Sequence, residues 1–149
     1  MSNITAIRLS CDEPIDEGIQ LKEICLGNEA AFHFCLSYLT LCQLLDDVVD
    51  GEKVEPEKLI QAVLNWSAQL SANSFYLANK EGLFALIAQG ASAWLDSDYC
   101  GRSEKPQLKL AAHALKSFYG EVIYHVAFIL GGYEHMRKCS LRWRAIDPE

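Results

Sequence analysis

The chain has 149 residues, 50% of them hydrophobic and 22% charged, with a formal net charge of −7. That length gives one domain with a core of its own, and the balance excludes a disordered tail. No apolar run approaches the ~18 residues a membrane-spanning helix needs. Residues 1–11 show neither a basic leader with an apolar core nor a small-residue cleavage site, so no secretory leader is read there. The expectation is a soluble, cytoplasmic protein forming a single helical domain over residues 1–149.

Residues 4–9 (Ile-Thr-Ala-Ile-Arg-Leu) read as a short extended lead-in, and 16–25 as a first helix stopped by Gly27. Asn28 caps a second helix that runs to Val49 and ends at Gly51. Pro56 opens a third, reaching Ser71. The stretch 73–79 (Asn-Ser-Phe-Tyr-Leu-Ala-Asn) reads as a kink or loop, and 81–95 as a fourth helix. The polar stretch 96–105 is the longest expected loop. Pro106 opens a fifth helix that stops at Gly131-Gly132, and 133–144 form the last. With no repeat and no linker, the pattern predicts a compact all-α bundle of about six helices.

Two helices are expected to be central, 28–49 and 106–130. Between Phe32 and Val49 the only polar residues are His33, Ser37, Thr40, Gln43, Asp46 and Asp47. Steps of four, three, three and four from His33 to Asp47, then three more to Asp50, draw one narrow polar stripe. From Val122 to Leu130 only His125 is polar, which reads as a core histidine bonded to a neighbour. Trp66, Trp94, Tyr119 and Tyr124 stand at spacings suited to core packing.

Charge is uneven. Residues 1–57 hold 12 acids against 3 bases, and residues 58–149 hold 8 against 10. An acidic first half disfavours nucleic acid and anionic lipid as partners. The basic residues Arg137, Lys138, Arg142 and Arg144 suit the carbonyl end of a terminal helix. Six cysteines without a Cys-x-x-Cys pair read as reduced core thiols. His135 and Cys139, four apart, share a helix face as metal ligands do, but no second pair accompanies them.

The chemically informative segment is Leu-Leu-Asp-Asp-Val-Val-Asp-Gly at 44–51. At about 100° per residue, Asp46, Asp47 and Asp50 fall within roughly 100° of arc. They sit in the last turn of a helix, where each anion costs up to about 1 kcal/mol against the macrodipole. Such a trio calls for compensation: a divalent cation, a basic side chain, the N-terminus of the following helix, or solvent. A calcium-binding loop over 46–57 is excluded, because its third position would be Val48.

Residues 44–50 resemble the first aspartate-rich motif of the trans-prenyl diphosphate synthases. That resemblance implies magnesium held by Asp46, Asp47 and Asp50, binding a diphosphate. Asp96 and Asp98 are the nearest substitute for the family's second motif; its downstream arginines are replaced by Glu52, Lys53 and Glu55. A wider set of residues is similar to a group of small, uncharacterised proteins of tailed bacteriophages. It comprises Leu-Asp-Asp-Val-Val-Asp-Gly (45–51), Asn-Ser-Phe-Tyr (73–76, with Ser74 where that group carries proline), Trp94 and Gly131-Gly132. This resemblance implies a viral accessory protein of host cytoplasm or virion, with no known activity.

Phosphate loops, nucleophile elbows and His-Glu-x-x-His are absent from the sequence. Asp47-x-x-Asp50 matches one of the two acidic pairs of all-α pyrophosphatases, but its partner, Glu13-x-x-Asp16, spans Pro14. The expected function is therefore a helical accessory or interaction protein, without catalytic residues or cofactor, that binds another protein or its own copy and no nucleic acid or membrane. The alternative is a magnesium-dependent enzyme or binder of phosphate esters. It would use Asp46, Asp47 and Asp50, with Asp96 or Asp98 completing the site and Arg102, Lys105 or Lys109 meeting the phosphate.

Overall fold

The computed structural model describes residues 17–144. The lead-in at 4–9 and the Glu13/Asp16 pair lie outside the described residues. Helix α1 (Glu17–Cys25) ends where Leu26 and Gly27 both enter the left-handed region, φ 48° and 80°. The chain turns straight into α2 (Glu29–Val49), capped as expected: Asn28 Oδ1 accepts the Ala31 N–H at 2.9 Å. After Asp50, Gly51 at φ 78° reverses the chain. Helix α3 (Pro56–Ala72) starts on its proline, whose missing N–H would have had no intrahelical acceptor there.

Asn73 joins three pieces of structure. Its Oδ1 accepts the Tyr76 N–H at the start of α4 (Ser74–Gly101), while its Nδ2 donates to Gln69 Oε1 and to the Ala30 carbonyl of α2. The 73–79 stretch is thus helical rather than a loop, with its kink at Asn79 (φ −128°, ψ 18°). The Asn79 amide donates to the Phe75 carbonyl, supplying a partner on the broken turn. Helix α4 also runs on past residue 95 to Gly101, through most of the expected loop. Ser97 is buried there with its hydroxyl donating to Trp94 O, and Asp98 pairs with Arg102 one turn on at 2.7 Å. The loop shrinks to 102–105.

The expected helix over 106–130 is two elements. Helix α5 (Pro106–Lys116) gives way to a 3-10 turn (Ser117–Tyr119), and α6 (Gly120–Trp143) follows. Only the second part is central. No residue of α5 is buried, whereas Val122, Ile123, Tyr124, Val126 and Ala127 of α6 are. Gly132, at φ 82° and ψ −174°, bends α6 into two arms at the place where the sequence separates two helices.

Helices α1, α2, α4 and α6 share one core. Leu21 and Ile24 meet Phe34, Cys35 and Leu39, with Leu83, Val122, Ile123 and Trp143 closing around them. Phe34 stacks on Tyr76 (centroids 5.4 Å apart, 12° between planes) and touches Trp66, which anchors α3. The polar stripe of α2 lies on the side away from this core, with His33 and Thr40 exposed. The fold is all-α, and no helix among the described residues is long and apolar enough to cross a membrane.

Candidate functional site

Asp46 and Asp50 stand one turn apart on α2 and reach the same cation from the far end of α5. Lys116 Nζ lies 3.2 Å from Asp46 Oδ1 and 4.0 Å from Asp50 Oδ2. Of the compensations open to the acidic turn, the structure uses the basic side chain. Exposed as these groups are, the contacts stabilise the fold by under about 1 kcal/mol. The backbone closes the turn: Asp50 N–H donates to Asp46 O, and Glu52 N–H to Asp47 O. Asp47 makes no ion pair among the described residues.

Lys116 Nζ thus lies beside two of the three carboxylates that the prenyl-synthase resemblance assigns to magnesium. Asp98 is engaged by Arg102, and Asp96 points outward on the exposed end of α4. No group of three His, Cys, Asp or Glu side chains among the described residues is arranged to hold a metal ion. Lys105 and Lys109 lie exposed around the α4–α5 turn with Arg102.

Beneath the acidic turn, Tyr38 and Cys42 continue the line of Asp46 into the protein. Burial holds the Tyr38 phenol above its ordinary range. Burial also pushes the Cys42 thiol up to about 12; its hydrogen bond with Tyr38 opposes this and the Asp46 carboxylate adds to it. Both groups are neutral at physiological pH, so neither is a ready nucleophile or base. Cys35 is likewise raised by burial and by Cys25 beside it.

His125 differs from its expectation. It is half buried, stacks on Phe128, and faces the α4 kink, where its Nε2 lies 3.0 Å from the point a Gly82 Cβ would occupy. It lines a shallow cavity of about 280 Å³ with Asn79 and Ile129, and burial lowers its pKa. His135 and Cys139 do touch, at 3.7 Å, but His135 Nε2 also lies 2.9 Å from the Ile24 carbonyl. A carbonyl only accepts, so that nitrogen carries a proton and ties α6 to the end of α1 instead of ligating. The basic residues nearby are also engaged: Arg142 with Glu23, Arg144 with Glu121 and the face of Tyr124, and Arg137 with Ser140.

What sequence reasoning missed lies on α4. Its outward side carries Phe84, Ala88, Ala91, Leu95 and Tyr99, with Phe84 58%, Leu95 64% and Tyr99 80% exposed. Leu110 of α5 is 73% exposed. The signal was present in the sequence, since the 81–95 segment is apolar on both sides of its helix instead of one. The chain matches no protein-family model, no curated protein and no solved structure. The functional reading therefore rests on this geometry.

Proposed function

We propose that the chain is a helical interaction protein, an accessory module that docks through the outer face of α4 and carries no reaction chemistry at its acidic turn. The observation behind this reading is the row of large apolar side chains left in water along a helix whose inner face already fills the core. Single exposed apolar residues are ordinary; a continuous row with two aromatics marks a contact surface. The resemblance to small tailed-phage proteins is in keeping with an accessory role.

A photo-crosslinking residue placed at Phe84 or Leu95 in the intact chain, expressed in cells, tests it. Protein adducts are expected from those positions and not from exposed Glu134 on α6. Equal yields from all three sites, or none from α4, would overturn the reading. Calorimetric titration with magnesium, alone and with pyrophosphate, tests the enzymatic alternative. No saturable heat is expected at millimolar metal; heat lost on Asp46→Asn would refute the proposal.

A further inference from the structure

We infer that α5 is a strap that opens and closes as one unit while the helices of the core stay packed, and that Lys116, held by the acidic turn of α2, is the latch that keeps it shut. The strap lies on a different side of α4 from the exposed apolar row, so its motion does not depend on the interaction reading. Helix α1 has nine residues and puts Leu21, Ile24 and Cys25 into the core, each 2% exposed or less. Helix α5 has eleven and buries none. Its grip is one narrow row of half-buried residues, Leu108, Ala111, Ala112 and Leu115, at the spacing of a single helix face. Isolated helices shorter than roughly 12–15 residues are marginal in water, so α5 loses its helix when it leaves α4. No side-chain cap closes its first turn. The joints on either side, the 102–105 loop and the Ser117–Tyr119 turn, are short irregular segments of the kind that absorb backbone rotation.

Beneath the strap runs one side of α4. At one end a Gly101 Cβ would stand 3.9 Å from Ala112 Cβ; at the other a Gly90 Cβ would stand 3.9 Å from Tyr119 Cα and 4.0 Å from the Phe118 ring. Trp94 and Ser97 lie between the two glycines on the same face, at steps of four, three and four. Ser97 is buried and Trp94 half-buried. Opening therefore brings an indole into water beside the Phe84 and Leu95 row, and the apolar surface of α4 widens. The latch is electrostatic. Lys116 Nζ, 3.2 Å from Asp46 and 4.0 Å from Asp50, makes the only ion pairs of α5 among the described residues. All three side chains are partly exposed, so dissolved salt weakens the latch.

Hydrogen–deuterium exchange of the purified full chain is the test. The amides of residues 110–116 are expected to exchange as one block, about 100-fold or more faster than those of 34–42 in α2 and 124–130 in α6. Asp46→Asn, a change on α2, is expected to speed the α5 block roughly two- to five-fold, the size an exposed ion pair allows, and Lys116→Gln to do the same. The α6 amides should not respond to either. Cys residues at 101 and 112 would have Cβ atoms within disulfide range. Oxidised Gly101→Cys/Ala112→Cys, with Cys100→Ser to prevent mispairing, should slow the block about ten-fold or more against its own reduced form. Protection in α5 equal to that of α2, protection that decays residue by residue from its ends, or an Asp46→Asn variant with α5 unchanged would overturn the inference.

Discussion

Gly132→Ala probes the bend that gives α6 two arms. The glycine sits at φ 82° and ψ −174°, a region essentially reserved for glycine, and a Cβ built there meets nothing within 4 Å. The penalty is therefore one of backbone strain alone. Strain in that region costs about 1–3 kcal/mol. The reduced freedom of alanine in the unfolded chain offsets about 0.4–1 kcal/mol of it. A net loss of about 1–2 kcal/mol follows, which lowers the urea midpoint by roughly 0.5–1 M for m near 2 kcal/mol/M. If the chain relieved the strain by straightening α6, Trp143 and Cys139 in the second arm would leave their places in the core, at greater cost. Urea unfolding followed by tryptophan fluorescence and circular dichroism measures the change. The sign is the test. In a regular helix the same substitution stabilises by about 0.5–1 kcal/mol, so an increase in stability would show that α6 is straight at Gly132 and refute the reasoning.

Asn73→Ala removes the α4 cap and leaves the Ala30 carbonyl without that donor, so a loss of about 2–3 kcal/mol is expected in urea unfolding; Asn73→Asp, which keeps the acceptor, should fall between. Trp143 is almost fully buried, and its indole N–H is the one buried side-chain polar atom without a partner among the described residues. Trp143→Phe is therefore expected to stay within about 1 kcal/mol of the parent while Trp143→Ala loses about 3–5 kcal/mol; equal losses would mean the N–H is bonded. The Cys42 and Tyr124 groups, both pushed up to about 12 chiefly by burial, lie above their ordinary values of 9 and 10. Their contribution is complete below about pH 9 and is lost as pH rises toward 12, because the unfolded chain ionises first. Urea midpoints should fall between pH 9 and 11.5, less steeply for Cys42→Ala, and a flat profile would contradict the burial of these groups.

Much of the fold was legible because its punctuation is local. Asn28, Gly27, Gly51, Pro56, Pro106 and Gly132 each act through their own backbone, and each stands at a helix boundary or bend. The failures came where burial and packing overrode the local polarity pattern. Residues 96–101 look like a loop in one dimension, yet the buried Ser97 and the Asp98–Arg102 pair make them two sides of a helix. The break at Ser117–Tyr119 has no proline, and the one local signal there is Gly120 immediately after it. At the acidic turn, the clustering of Asp46 and Asp50 follows from helical spacing. Their partner Lys116 does not, because it arrives through the packing of α5 far along the chain.

Net charge bears on which exposed apolar surface a second copy can use. At −7 two copies repel, and contact is least opposed where charge cancels locally. The exposed Leu45, Val48 and Val49 at the end of α2 are surrounded by Asp46, Asp47, Asp50 and Glu52, and Lys116 neutralises only part of that field. Bringing two such ends together adds like charge to like. Along α4 the exposed row Phe84, Ala88, Ala91 and Leu95 carries charge only beyond its ends, Glu81 on one side and Asp98 with Arg102 on the other. An apolar partner therefore meets less charge on the exposed face of α4 than at the aspartate turn.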